Sequence, residues 1–183
     1  MQTDAVAPTP VHASQPGSPP GMAGKWRVDA GASQARFTAR TLAGLIRVPG
    51  CFRSVAGTLS VGENDGRGVL TIDAATVDTG NRMRDKHLRS PDFLGVAKHP
   101  ELRYEAGSFD VDGMAVRIDG DLLVAGERSR LPLTAELRVQ DDDAIVITCR
   151  TRVDRVALGV RGGRGVVTRA VDLEIAVTLR RAR

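Results

Sequence analysis

The residues best suited to acid/base chemistry lie close together in one segment, at Asp85 and His87. Histidine titrates near neutral pH, and a carboxylate can orient its imidazole ring, so the pair is a candidate acid/base set. A separation of two residues places them on different faces of a helix, however, and no motif positions a serine or cysteine nucleophile. The alternative is a bracing network, in which Asp85 accepts hydrogen bonds from arginine or backbone donors and His87 bonds a carbonyl. The spacing favours bracing over catalysis.

A short helix must position these two side chains. Residues 79–81 (TGN) are typical of a turn, and residues 82–89 contain no Gly, Pro or β-branched residue, which predicts one or two helical turns. Asn81 is suited to cap the first turn. The helix is expected to end at Ser90, because a residue that precedes proline prefers extended backbone.

The remainder of the chain alternates apolar and polar residues with a period of two, as β-strands with one buried face do. Residues 131–139 and 171–179 are clear examples, and residues 63–66 (ENDG) are a strong turn signal between two strands. About eight such strands, mostly joined by short turns, predict an antiparallel barrel or sandwich. Closure is favoured because it removes edge strands. The expected fold is all-β, an antiparallel eight-stranded barrel with one or two short helices.

The inward-facing residues of such a barrel either pack a dry core or line a cavity. Eight strands enclose an interior that side chains can fill, or that holds one slender ligand when many side chains are small. Inward alanines such as Ala35, Ala106 and Ala135 leave room among the branched aliphatic residues. The periodicity is compatible with both interpretations.

A loop rich in glycine and arginine is predicted before the last strand. Residues 159–165 contain four glycines, too many for a strand. Backbone amides and arginine side chains of such a loop are a candidate site for a phosphate or diphosphate head group, with Arg155, Arg161 and Arg164 as contacts. The alternative is a mobile, solvated loop.

Length and composition indicate one domain preceded by a tail. The 183 residues, 42% of them hydrophobic, are enough for one buried core. Residues 1–24 are rich in Pro, Ala and Ser, so we expect a disordered tail before a barrel domain at residues 25–183. The tail has neither a charged n-region nor an apolar h-region, which predicts a cytoplasmic protein without a signal peptide. The sequence contains no run of about 18 apolar residues, so no membrane-spanning segment is predicted.

The net charge of +4 raises the question of nucleic-acid binding. The arginines alternate along strands among acidic residues, and an aromatic content of 3% offers few platforms for base stacking. Nucleic-acid binding is therefore not expected. Cys51 and Cys149 are interpreted as free, packed thiols rather than as a disulfide, and no metal-ligand spacing involves either of them. No metal and no catalytic cofactor are expected.

One stretch resembles a known family. Residues 76–106, TVDTGNRMRDKHLRSPDFLGVAKHPELRYEA, are similar to the signature of the YceI-like family, in which a Thr-Gly-Asn turn, an Arg-Asp pair, a His-Leu pair and a phenylalanine ahead of a proline recur at this spacing. The likeness extends over residues 25–181 and includes KWRVDAGASQARFTAR, GCFRSVAGTLSV and GDLLVAGERSRLPL. The resemblance implies a lipocalin-like barrel that holds a long polyisoprenoid, such as a polyprenyl lipid or a quinone tail.

The resemblance therefore favours a cavity over a dry core, and a non-catalytic binder or carrier of an isoprenoid lipid. The alternatives are a small-substrate enzyme that uses His87 and Asp85, and a solid barrel that acts as an interaction module. A homodimer fits barrels of this kind, and no residue in the sequence specifies one. The residues expected to line the cavity are Phe37, Phe52, Ile72, Tyr104, Ile118, Leu122, Leu133, Leu137, Ile147, Leu173 and Ile175.

The sequence departs from the family pattern at two places. His99 stands where the family usually has an aromatic residue, which predicts a packing or rim role for it. Residues 157–159, Ala-Leu-Gly, stand where an aromatic-glycine pair is expected after the seventh strand. The second departure implies that the ligand end of the barrel differs from that of the family.

Overall fold

The computed structural model describes residues 22–62 and 65–182, which form an all-β domain. The predicted tail lies outside the described residues up to residue 21, and so do the first two residues of the predicted turn at 63–66. A short 3-10 helix covers Ala74–Thr76 and the α-helix α1 covers Arg82–Arg89. The strands are β1 (Gly24–Val28), β2 (Gln34–Thr41), β3 (Ile46–Phe52), β4 (Val55–Val61), β5 (Gly66–Asp73), β6 (Val77–Asp78), β7 (Glu101–Asp112), β8 (Ala115–Val124), β9 (Glu127–Arg130), β10 (Leu133–Asp141), β11 (Ala144–Asp154) and β12 (Ala170–Arg181).

These segments form one closed, antiparallel barrel of eight strands. Four of the barrel strands are interrupted. β1 and β2 both pair with β12, and β9 and β10 both pair with β8. β3 and β4 pair with β2 and β1, and β6 and β5 pair in turn with β3 and β4, so each of these couples also forms one barrel strand. The barrel closes where β1 pairs with β12, with Trp26 opposite Arg181. The predicted eight-stranded antiparallel barrel is confirmed.

The alternating pattern fixes the register of the strands. On the long β11–β12 ladder, Cys149 lies opposite Ile175 and both line the interior. The next pair along the ladder, Arg150 and Glu174, forms an exposed ion pair of 2.8 Å. Such pairs contribute little to stability. A slip of one residue would turn the apolar side chains outward, so the inward face specifies this register.

The two ends of the barrel differ. At the lower end, where the β4–β5, β7–β8 and β10–β11 turns lie, Trp26 is 2% exposed and its Nε1 donates to the Met22 carbonyl at 3.0 Å. The Arg181 guanidinium lies 4.5 Å from the centre of the Trp26 ring. Met22 is itself buried, so the packed part of the chain begins before residue 25, where the barrel domain was expected to start. These residues close the lower end.

The upper end carries α1, the β2–β3 hairpin, the β8–β9 turn and the β11–β12 loop. The Asn81 side chain accepts a hydrogen bond from the Arg84 amide at 3.0 Å, and Ser90 caps the C-terminal end of α1, so the predicted helix, its cap and its end are confirmed. Helix α1 has eight residues. In the described part of the chain, no helix combines the length and the apolar character that a membrane crossing requires.

Candidate functional site

An apolar cavity of about 190 Å³ lies in the middle of the barrel. Each of the eight barrel strands contributes to its wall, since inward side chains recur at every second residue. Nine of the predicted lining residues face this cavity, namely Phe52, Ile72, Tyr104, Ile118, Leu122, Leu133, Ile147, Leu173 and Ile175.

The other two predicted lining residues lie elsewhere. Phe37 packs against Phe52 with ring centres 5.6 Å apart, and it lies over Gly50, where a Cβ atom would come within 2.3 Å of its ring. Its ring therefore sits above the cavity, towards the upper end. Leu137 is buried in the lower core, where its amide donates to the Met114 carbonyl at the β7–β8 turn.

Further lining residues were not predicted, among them Leu70, Cys149 and Phe109. Leu70 and Cys149 follow the same alternation as their predicted neighbours on β5 and β11, so the signal for them was present. Phe109 breaks the alternation, because a bulge lies between Ala106 and Ser108 on β7. The extra residue of a bulge reverses which side chains face inward beyond it. Gly107 lies at this bulge, and an isolated glycine within a strand is a sequence signal for one.

The titratable groups that face the cavity from β7 and β11 are neutral at physiological pH. Burial raises the pKa of the Tyr104 phenol to about 12, and its hydroxyl donates to the Leu131 carbonyl at 2.9 Å. Burial also raises the pKa of the Cys149 thiol. The charged residue in the wall is Arg36, which is exposed to solvent. The interior is therefore suited to a hydrocarbon, which needs no polar partner.

The volume limits what the cavity can hold. A water molecule requires roughly 10–15 Å³ of volume measured in this way. A cavity of about 190 Å³ therefore admits on the order of a dozen water-sized groups. A hydrocarbon of about a dozen carbons is therefore the size of ligand that the cavity admits.

Asp85 braces the upper end. Its buried carboxylate accepts hydrogen bonds from the Thr79 amide at 2.9 Å and from the Thr79 hydroxyl at 2.6 Å. Arg84 also bonds Thr79, through its hydroxyl at 2.7 Å and its carbonyl at 2.9 Å. Arg89 donates to carbonyls of the 3-10 helix and β6. The polar groups around Asp85 thus fix α1 to the turn before it.

His87 does not join this network. Its ring meets the ring of Phe93 edge-on, with centres 4.9 Å apart. Among the described residues no hydrogen bond links the His87 imidazole to Asp85 or to a carbonyl, so the expected carbonyl contact of this side chain is wrong. The acid/base pair is not assembled. His99 lies at the rim as expected, and a Cβ atom at Gly126 would come within 2.6 Å of its ring.

The β11–β12 loop is held by Arg155. This buried guanidinium donates to four carbonyl groups, those of Thr168, Val160, Gly162 and Val167, at 2.6–2.9 Å. The expectation that Arg155 contacts a head group is therefore corrected, because its donors are used inside the loop. Arg161 pairs with Glu127 at 3.2 Å, and Arg164 is exposed.

A separate polar groove of about 580 Å³ lies outside the barrel at the upper end. It is bounded by the loop after α1 and by the β11–β12 loop, and both Arg161 and Arg164 border it. The groove shares no lining residue with the barrel cavity. The two remaining head-group candidates therefore do not face the cavity directly. In residues 22–62 and 65–182, no cluster of His, Cys, Asp or Glu has the composition of a metal site, and both cysteines are free.

The sequence is similar to curated bacterial proteins. Protein YceI of Escherichia coli O157:H7 is 38% identical over 97 residues, and that of Salmonella arizonae is 36% identical over 97 residues. Each match covers 51% of this chain and 51% of the relative, so the similarity spans about half the length of these relatives.

Solved structures share the fold. Burkholderia cenocepacia BcnA superposes with a TM-score of 0.75 at 16% identity, over 82% of this chain and 98% of that chain. A polyisoprenoid binding domain from Saccharophagus degradans, implicated in plant cell wall breakdown, gives a TM-score of 0.74 at 16% identity, over 86% and 98% of the two chains. Campylobacter jejuni YceI protein gives 0.64 at 20% identity, over 76% and 88%. The YceI-like domain model matches residues 26–179, and the chain belongs to this family.

Proposed function

We propose that this barrel binds an isoprenoid lipid in its interior and carries it without chemical change. The observation that supports the proposal is the apolar cavity of about 190 Å³, whose buried phenol is hydrogen-bonded and whose thiol is protonated. The Saccharophagus degradans neighbour is described as polyisoprenoid-binding, which agrees with this ligand class. A prenyl chain of two to three isoprene units has about the size that this cavity admits.

Burial alone can supply the binding energy. Each buried CH₂ contributes about 0.8 kcal/mol, so a dozen carbons contribute roughly 10 kcal/mol. Association costs at least about 4 kcal/mol, which leaves about 6 kcal/mol, or a Kd in the tens of micromolar. Tighter binding requires a longer buried chain.

Trp26 and Ile145, which are 2% and 1% exposed, close the lower end. We therefore infer that the ligand enters from the upper end, where the buried Ala74 and Val77 pack with Phe37 and Phe52 and must separate to admit it. About a dozen carbons correspond to roughly two to three isoprene units in the present cavity. A long polyprenyl or quinone tail would place its terminal units there. Its remaining units would extend towards the upper end or widen the wall beside Phe37 and Phe52, where the two rings meet.

No observation favours the two alternative functions. Asp85 and His87 make no mutual contact, which removes the geometric basis for the small-substrate enzyme. The interior is hollow, which argues against a solid barrel that acts only as an interaction module.

Solvent extraction of the purified native protein, followed by mass spectrometry, tests the proposal. We expect a polyprenyl species in the extract. Titration with prenyl alcohols of ten, fifteen and twenty carbons then tests how long a chain the cavity holds. The affinity is expected to rise from the ten-carbon to the fifteen-carbon alcohol. A clean extract, from protein that also binds none of the three alcohols, would contradict the proposed function.

A further inference from the structure

The tip of the β2–β3 hairpin exposes apolar side chains at the upper end of the barrel. Leu42 is 57% exposed, Leu45 is 85% exposed and Ile46 is 48% exposed. Val166 of the β11–β12 loop, also 57% exposed, adjoins them, because the Leu42 amide donates to its carbonyl at 3.2 Å. These four residues are called the apolar tip below.

The residue types at this turn are unusual for a solvated hairpin. Leu42 and Ala43 have φ angles of 50° and 56°, in the left-handed region that asparagine and glycine prefer. Leucine and alanine add apolar surface at these positions and gain no conformational advantage. The turn therefore has the composition of a contact surface rather than of a connection.

Positive charge surrounds the apolar tip. Neither residues 30–62 nor residues 155–169 contain an Asp or Glu. Arg47 on β3 and Arg164 in the β11–β12 loop are exposed, and among the described residues neither has an acidic partner. The backbone amides of residues 161–165 likewise donate no hydrogen bond within the described part of the chain. Cationic side chains and free amides together are suited to phosphate groups.

We propose that the upper end docks on an anionic lipid bilayer, with the apolar tip entering the interface and Arg47, Arg164 and the free amides binding lipid phosphates. Apolar side chains beside basic ones are the combination that binds such surfaces. The strands that carry the tip also wall the cavity at Ala35 and Phe52. Leu42 lies seven positions after Ala35 along extended chain, so the tip is about 20 Å from this part of the wall.

Docking in this orientation presents the upper end of the barrel to the membrane and keeps the lower end, closed by Trp26, away from it. The purpose of docking, which is loading of a prenyl chain, rests on the proposed function. The binding itself does not, because it is measured without prenyl lipid.

Sedimentation of the full chain with phosphatidylglycerol/phosphatidylcholine vesicles tests the docking. We expect the protein to bind these anionic vesicles and not to bind vesicles of pure phosphatidylcholine. Leu45→Asp should weaken it about tenfold, because a charge replaces an inserted side chain. Arg164→Gln should weaken it about fivefold, as expected for one basic residue near an anionic surface.

Matched controls come from the lower end. Val139 is 68% exposed and Arg67 is an exposed arginine, so Val139→Asp and Arg67→Gln make the same chemical changes far from the tip. Both should bind vesicles as the parent protein does. In a second readout, the fluorescence of Leu45→Trp should shift to the blue on anionic vesicles, and that of Val139→Trp should not.

Three results would overturn the docking proposal. The first is that the protein does not bind anionic vesicles. The second is that the lower-end variants weaken vesicle binding as much as the upper-end variants do. The third is that Arg164→Gln weakens vesicle binding and Leu45→Asp does not, which would indicate only an anion site. Failure of the proposed lipid binding can be distinguished from failure of membrane docking. Leu45→Asp should still bind soluble farnesol, whereas a protein that docks on vesicles but binds no prenyl alcohol would contradict the lipid carrier alone.

Discussion

The hydroxyl of Tyr104 donates a 2.9 Å hydrogen bond to the carbonyl oxygen of Leu131 at the barrel wall. Leu131 lies in the break between β9 and β10, where Pro132 has no amide to donate. Gly120 permits this contact, because a Cβ atom there would come within 2.6 Å of the Tyr104 hydroxyl. The Leu131 carbonyl at this strand break thus has a hydrogen-bond partner.

The Tyr104 phenol should make stability depend on alkaline pH. Its folded-state pKa of about 12 lies above the ordinary value of 10.0, so the folded state holds the proton more tightly. This stabilisation is complete below pH 10 and is lost as the pH rises towards 12. Urea unfolding, followed by Trp26 fluorescence, should show Tyr104→Phe less stable at pH 8 and a smaller difference at pH 11. An unchanged difference would contradict this assignment.

Removal of the Asp85 carboxylate should loosen the upper end. Asp85→Ala leaves the Thr79 amide and hydroxyl without their acceptor, so we expect a loss of about 1–3 kcal/mol in unfolding free energy. Asp92→Ala, an exposed carboxylate nearby, should change it by less than about 0.5 kcal/mol. Equal effects in urea unfolding would show that Asp85 does not brace α1.

Lysine should not replace Arg155. The guanidinium donates to four carbonyls in different directions, whereas an ammonium has three donors at one point. Arg155→Lys should therefore increase hydrogen exchange across residues 155–169. Arg161→Lys changes an exposed ion pair and serves as the control, with unchanged exchange expected. Normal protection in Arg155→Lys would refute the bracing role.

Ligand occupancy should protect one cysteine and not the other. Cys149 lines the cavity, and burial raises the pKa of its thiol, whereas Cys51 is partly exposed on β3 and outside the cavity wall. Iodoacetamide should therefore alkylate Cys149 more slowly, and farnesol should slow Cys149 further without affecting Cys51. Peptide mass spectrometry measures both rates. Equal protection of both thiols would indicate a global effect instead of an occupied cavity.

Much of the fold could be predicted because it depends on local patterns. Asn81 and Ser90 carry the chemistry of a helix start and a helix end, and the structure uses both in that way. The alternation on β11 and β12 predicted which residues face inward, because a one-residue slip would expose them.

Other features depend on contacts distant in sequence. Gly107 lies in the bulge before Phe109, but Gly57 and Gly68 lie in strands whose register is regular at those positions. A glycine alone therefore does not predict a bulge, which depends on the pairing with β8. Arg155 looked like its exposed neighbours, but the carbonyls that it bonds become available only when the loop folds around it. Phe37 does not line the cavity as predicted, because Gly50 on the adjacent strand provides space for its ring.

The most direct measurement compares two tryptophan substitutions at neighbouring positions of β11. Ile147 lines the cavity, whereas Thr148 is on the opposite face of the strand and borders an outer groove. Farnesol titrations should show that Ile147→Trp, which fills the cavity, loses binding at least tenfold, while Thr148→Trp binds as the parent protein does. If both variants, folded by circular dichroism, bind farnesol equally well, the lipid does not occupy the barrel interior.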